Sequence, residues 1–112
     1  MPCASSQNRT RDLNDRFRHL RQGNGRVFVT TGIKARAPVF LTEVIYSART
    51  FDTFSAQNDP HDEHDFDAVT VIAARVFWEI DSYDPTLASG SADPEDETKI
   101  YRVCTIMLAQ EY

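Results

Sequence analysis

The chain has 112 residues, 41% of them apolar and twelve aromatic, enough for one buried core but not for two. No apolar run approaches the roughly 18 residues of a membrane helix, and the N-terminus is polar, so neither a span nor a secretory leader is expected. Cys3 and Cys104 are the only cysteines, which excludes a disulfide framework and a four-cysteine zinc site and points to a reducing, cytoplasmic setting.

The net charge of −5 conceals a split: residues 1–50 carry nine Lys/Arg against three Asp/Glu, and residues 51–112 carry three against fourteen. Two electrostatic faces result unless the halves intermix on folding.

A first helix is predicted over Thr10–Gln22, because Leu13, Phe17 and Leu20 recur at i, i+4 and i+7. Gly23-Asn24-Gly25 ends it, and Arg26–Thr31 is short and β-branched, as a strand should be. Pro38 suits the first turn of a second helix, with an apolar stripe of Phe40, Leu41, Val44, Ile45 and Ala48. Asn58-Asp59-Pro60 is turn chemistry inside an acidic loop. Phe66–Ala73 and Arg75–Tyr83 read as a hairpin, with Val76, Trp78 and Ile80 on one face. Residues 84–98 form a long acidic loop. Lys99–Gln110 reads as a strand that places Ile100, Cys104, Ile106 and Leu108 together; a terminal helix over Ile106–Tyr112 is the alternative. The sum is a single α+β domain over 1–112, with 1–9 frayed: an antiparallel sheet of about four strands with two helices packed on one face.

Residues 58–67, NDPHDEHDFD, pack five carboxylates and two histidines into ten positions. A zincin needs two histidines at i, i+4 with a glutamate between, whereas His61 and His64 are three apart. A calcium loop needs a sharp-turn glycine, which is missing, and Thr70 stands where its closing glutamate belongs. Ligation by His61 and His64 is left as a non-standard alternative. The odd-numbered groups are expected to brace the loop and the even-numbered ones to face water. His64 beside Asp65 sketches an acid–base pair, but no nucleophile accompanies it.

Asp81 and Asp84, followed by Glu97-Thr98-Lys99, outline a metal-dependent nuclease site, although the surrounding negative charge repels a phosphate backbone. Arg9, Arg11, Arg16, Arg18 and Arg21 on the first helix could meet phosphates; interrupted by Asp12 and Asp15, they read better as a solvated face with their stems over the apolar stripe. Cys104 lies in an apolar run and reads as inert.

Three blocks in order carry a family resemblance: Asn58-Asp59-Pro60-x-x-Glu63-His64-Asp65-Phe66, Val76-Phe77-Trp78-x-Ile80-Asp81-x-Tyr83-Asp84, and Arg102-Val103-x-Thr105-Ile106-Met107-Leu108-Ala109-x-Glu111-Tyr112. From about Leu13 onward the chain resembles the small bacterial proteins of domain of unknown function 3768. The resemblance implies no activity and no catalytic residues. It implies a setting on plasmids and other mobile elements, near genes that counter host defence. The family often has glycine where this chain has Asp62 and Asp67.

The function expected is a non-enzymatic acidic protein-binding module with no cofactor and no metal. Asp59, Asp62, Glu63, Asp65 and Asp67, with Asp93, Glu95, Asp96 and Glu97 as a second patch, would dock on a basic surface of a nucleic-acid-handling defence complex, as anti-CRISPR or anti-restriction inhibitors do. Direct nucleic-acid binding is not expected. The alternative is a small metal-dependent nuclease-like hydrolase.

Overall fold

A computed structural model describes residues 6–84 and 100–112. In chain order it comprises α1 (Ser6–Leu20), β1 (Gly25–Val29), α2 (Thr31–Lys34), α3 (Pro38–Thr50), β2 (Phe66–Val71), β3 (Ala74–Tyr83), β4 (Tyr101–Leu108) and a final 3-10 turn, Ala109–Glu111. Helix α1 thus starts four residues before the apolar stripe indicates, and α2 is an additional single turn. The strand expected near the C-terminus is present and stops at Leu108, where the short turn replaces the alternative helix.

The four strands form one sheet in the order β1-β4-β3-β2. The α+β, four-stranded expectation holds. One pairing differs: β1 runs parallel to β4, while β4–β3 and β3–β2 are antiparallel. Parallel pairing needs a long crossover, and everything from α2 to β3 supplies it.

Alternation decides which face is covered. Val76, Trp78 and Ile80 of β3 and Cys104, Ile106 and Leu108 of β4 are buried. Against them pack Phe17 of α1, Ile33 of α2, and Phe40, Val44 and Ala48 of α3. Ile45 and Leu41, expected in the α3 stripe, lie at its margin, exposed and half-buried respectively. Gly25 is needed where α1 meets the sheet: a Cβ there would collide with the Arg102 carbonyl oxygen and the Phe17 ring.

The β2–β3 hairpin closes through Ile72 and Ala73, both at positive φ (46° and 64°). Two successive left-handed residues are the signature of a type I′ turn, whose right-handed twist matches the strands but which suits Asn-Gly. Ile72 is 62% exposed, so no packing rewards its strained backbone. The paired substitution Ile72→Asn with Ala73→Gly should therefore stabilise the protein by about 1–2 kcal/mol. Urea unfolding would read this as a higher midpoint with an unchanged slope.

At the other end, Glu111 ties the last turn to the β1–α2 junction. Its Oε1 accepts hydrogen bonds from Thr30 Oγ1 (2.6 Å) and the Leu108 backbone N–H (2.9 Å), and its Oε2 accepts one from the Gly32 N–H (3.1 Å). These donors, the Thr30 hydroxyl foremost, hold the carboxyl below its ordinary pKa. Such a group stabilises the fold above its unfolded pKa, and the contribution is lost as pH falls through the lower folded value. Glu111→Gln should flatten the decline in stability between about pH 5 and pH 3, as followed by unfolding at a series of pH values.

Candidate functional site

The acidic loop between α3 and β2 is held by its own backbone and by α1. Asn58 Oδ1 accepts the Ser55 N–H at 2.8 Å, and Asn58 Nδ2 donates to the Thr53 carbonyl at 3.0 Å. The Asp59 carboxylate turns inward and accepts the Glu63 and His64 N–H groups at 3.2–3.3 Å, as a capping side chain does. Two non-glycine residues here have left-handed backbones, Asp62 (φ 54°) and His64 (φ 53°). Position 62 is thus one that glycine would fill without strain.

Three consecutive contacts dock α1 on this loop. Arg11 Nη1 donates to Asp62 Oδ2 at 2.8 Å, Asn14 Nδ2 to the Glu63 carbonyl at 2.9 Å, and His64 Nδ1 lies 2.8 and 3.0 Å from the two Asp15 oxygens. The basic and acidic halves of the chain therefore interlock at this junction. The buried face of α1 explains the contacts: Thr10, Asn14 and Arg18 form an i, i+4, i+8 row beside the apolar pair Leu13 and Phe17, and all five are buried.

Arg18, expected on a solvated face, lies in the core. Its guanidinium sits 4.5 Å from the Trp78 ring centre and 5.5 Å from that of Phe54. Nη1 donates to the Ala48 carbonyl at 2.8 Å, Nη2 approaches Asp15 Oδ1 at 3.4 Å, and burial lowers its pKa. Arg102, also buried, donates from Nε to Asn14 Oδ1 at 2.7 Å.

His64 is the centre of the loop. Its ring stacks on Phe54, with centroids 3.7 Å apart and planes within 7°. Nε2 faces Asp59 Oδ2 at 3.4 Å and Asp62 Oδ1 at 3.5 Å. Asp59, Asp62 and His64 each offer one ligand atom, all within 4.8 Å of one another. When the ring is neutral and Nδ1 donates to Asp15, Nε2 is an acceptor, and three acceptors then converge. They line an open pocket of about 440 Å³ whose other walls include Asp52, Phe54, Ala56 and Pro60.

The other sequence candidates fall elsewhere. His61 is exposed, and the ligand atoms that come together are those of His64 with Asp59 and Asp62, not the His61 and His64 of the non-standard alternative. Even-numbered His64 points inward, contrary to the expected alternation, because α1 covers it. Glu63 and Asp65 are half-buried, and burial raises the pKa of both. Asp81 lies on the sheet face opposite the helices, beside Glu79, whose pKa burial and Asp81 together raise. Asp93, Glu95, Asp96, Glu97 and Lys99 lie outside the described residues. Cys104 is buried as expected, its thiol pushed up to about 12. No described helix is long and apolar enough to cross a membrane.

Asp15, Asn14, Phe54 and Asp52 were not candidates in the sequence. The available signal was a polar row at helical spacing, Thr10-x3-Asn14-x3-Arg18, beside an apolar one.

A family model described as "Protein of unknown function (DUF3768)" matches residues 29–111. No curated protein and no solved structure matches the chain.

Asp67 is buried on the helix-covered face, opposite Trp78. Oδ1 accepts the Ala68 N–H at 2.8 Å, while Oδ2 is buried without a hydrogen-bond partner among the described residues. Burial raises its pKa, so the fold disfavours the ionised form. Asp67→Asn should raise stability at pH 7 by about 1 kcal/mol. The advantage should shrink as pH falls and the wild-type carboxyl takes up its proton, which denaturant unfolding at pH 7 and pH 4 would compare.

Proposed function

The chain belongs to the DUF3768 family, whose description assigns no activity, and we propose that it is a non-enzymatic acidic binding module that captures a lysine of a basic protein partner in the pocket of residues 52–64. The supporting observation is the convergence of His64 Nε2, Asp59 Oδ2 and Asp62 Oδ1. A lysine ammonium carries three donors and no acceptor, and so matches three converging acceptors. The planar fork of arginine matches a single carboxylate better. The walls of Phe54, Ala56 and Pro60 suit the lysine methylenes, while Asp52 adds negative charge at the pocket.

The partner is a protein with a basic surface. A nucleic-acid-handling defence complex is the class we favour, its lysine-lined channel blocked where phosphates would lie, in the manner of an anti-restriction or anti-CRISPR inhibitor. Exposed carboxylates near the pocket would steer the encounter, so association should slow as salt rises.

Metal-dependent hydrolysis is the second reading, favoured by the same three ligand atoms and by Asp15 behind His64, an arrangement that orients a metal-binding imidazole.

Asp62→Gly separates site from fold. It removes one acceptor and relaxes a left-handed backbone, while giving up only a partly exposed pair with Arg11, so stability should stay within about 1 kcal/mol of wild type. Calorimetry at low salt should detect a lysine-rich peptide, with an arginine-matched peptide weaker. Asp62→Gly should weaken the lysine peptide about tenfold, the loss of one charge-assisted bond. Absence of peptide binding at low salt defeats the proposal. Tight manganese or zinc binding with nucleic-acid cleavage would establish the hydrolase instead.

A further inference from the structure

A second crevice lies on the other side of Arg18 from the acidic loop, between the C-terminal end of α1, α3 and the β1–β4 edge of the sheet. It measures about 30 Å³, and its floor is Val27, Cys104 and Ile106. Three arginines line it: Arg18, Arg21 and Arg49. Among the described residues no carboxylate does. Arg18 is 3% exposed, and its Nε is buried with no hydrogen-bond partner among the described residues. Its one carboxylate contact among the described residues, Asp15, meets Nη2 at 3.4 Å and is shared with His64. Arg21 follows α1 in a left-handed conformation (φ 58°), and Arg49 Nε donates to the His19 carbonyl at 3.3 Å; both are exposed.

We propose that this crevice binds a small aliphatic carboxylate, its carboxylate on Arg21 and Arg49 at the mouth and its alkyl end on Val27 and Ile106. Charge complementarity sets the sign of the ligand: three guanidiniums face the crevice in a protein that is negative overall. The guanidinium fork matches a carboxylate in two parallel hydrogen bonds. The floor sets the rest. It is apolar apart from a neutral thiol, so it suits an alkyl group and penalises a fully hydrated dianion such as phosphate. The crevice is small, so only the end of an alkyl group enters it, and the ligand is a short-chain carboxylate such as propionate or butyrate.

The test is an NMR titration of the intact chain with butyrate against chloride at matched ionic strength, observing the methyl groups of Val27, Ile45 and Ile106. Saturable shifts confined to these residues are expected. The double variant Arg21→Gln with Arg49→Gln should weaken binding at least about tenfold, the loss of charge-assisted pairs. Ile45→Trp, which fills the exposed mouth and keeps every charge, should also block it, and this gives an independent result if the double variant does not fold. Overturning results are the absence of saturable shifts, unchanged affinity in the folded variants, or inorganic phosphate binding as well as butyrate, which would make this an unselective anion surface. None of these outcomes depends on whether the pocket of residues 52–64 takes lysine.

Discussion

A single buried guanidinium joins the parts of this protein. Arg18 projects from α1 across Trp78 at the centre of the sheet, reaches the α3 carbonyl of Ala48, and touches Asp15, which in turn holds His64. Helix, helix, sheet and loop therefore meet on one side chain. Burying a cation costs several kcal/mol, and one long contact to a half-exposed carboxylate does not offset that alone. The aromatic faces and the carbonyls in the last turn of α3, which bear the negative end of its dipole, supply the rest. Lysine would be a poor replacement, since it has neither the plane to stack nor the fork that reaches the α3 carbonyls with one nitrogen and Asp15 with the other.

That constraint explains what was legible in the sequence. Elements governed by apolar periodicity were readable: the α1 stripe of Leu13 and Phe17, the Val76-Trp78-Ile80 face of β3, and the alternation of β4. The parallel β1–β4 pairing was not, because strand order depends on where a long crossover returns and not on any local pattern. The strained Ile72-Ala73 turn was hidden for a related reason. Neither residue advertises positive φ, and the register of the flanking strands imposes it.

The site was half legible. The density of carboxylates between residues 58 and 67 marked the loop, and Asp59 braces it much as an odd-numbered group was expected to. Hidden from inspection was the partner of His64. Asp15 is 49 positions away, on a helix whose charges looked like a solvated face. Polar residues at core-facing helical positions are the exception to binary patterning, and they concentrate where a fold holds something other than apolar surface. The row Thr10, Asn14, Arg18 is such an exception.

Arg18 also divides the charge of the molecule. On one side it faces the loop, where Arg11 and Asp15 engage Asp62 and His64, leaving an acidic pocket with three converging acceptors. On the other it lines a crevice with two more arginines and, among the described residues, no acid. The intermixing of the two halves is thus local and incomplete. Asp15 is the carboxylate both sides share, since its Oδ1 lies 2.8 Å from His64 Nδ1 and 3.4 Å from Arg18 Nη2. Both contacts draw on the same carboxylate oxygen, so neither His64 nor Arg18 has Asp15 to itself.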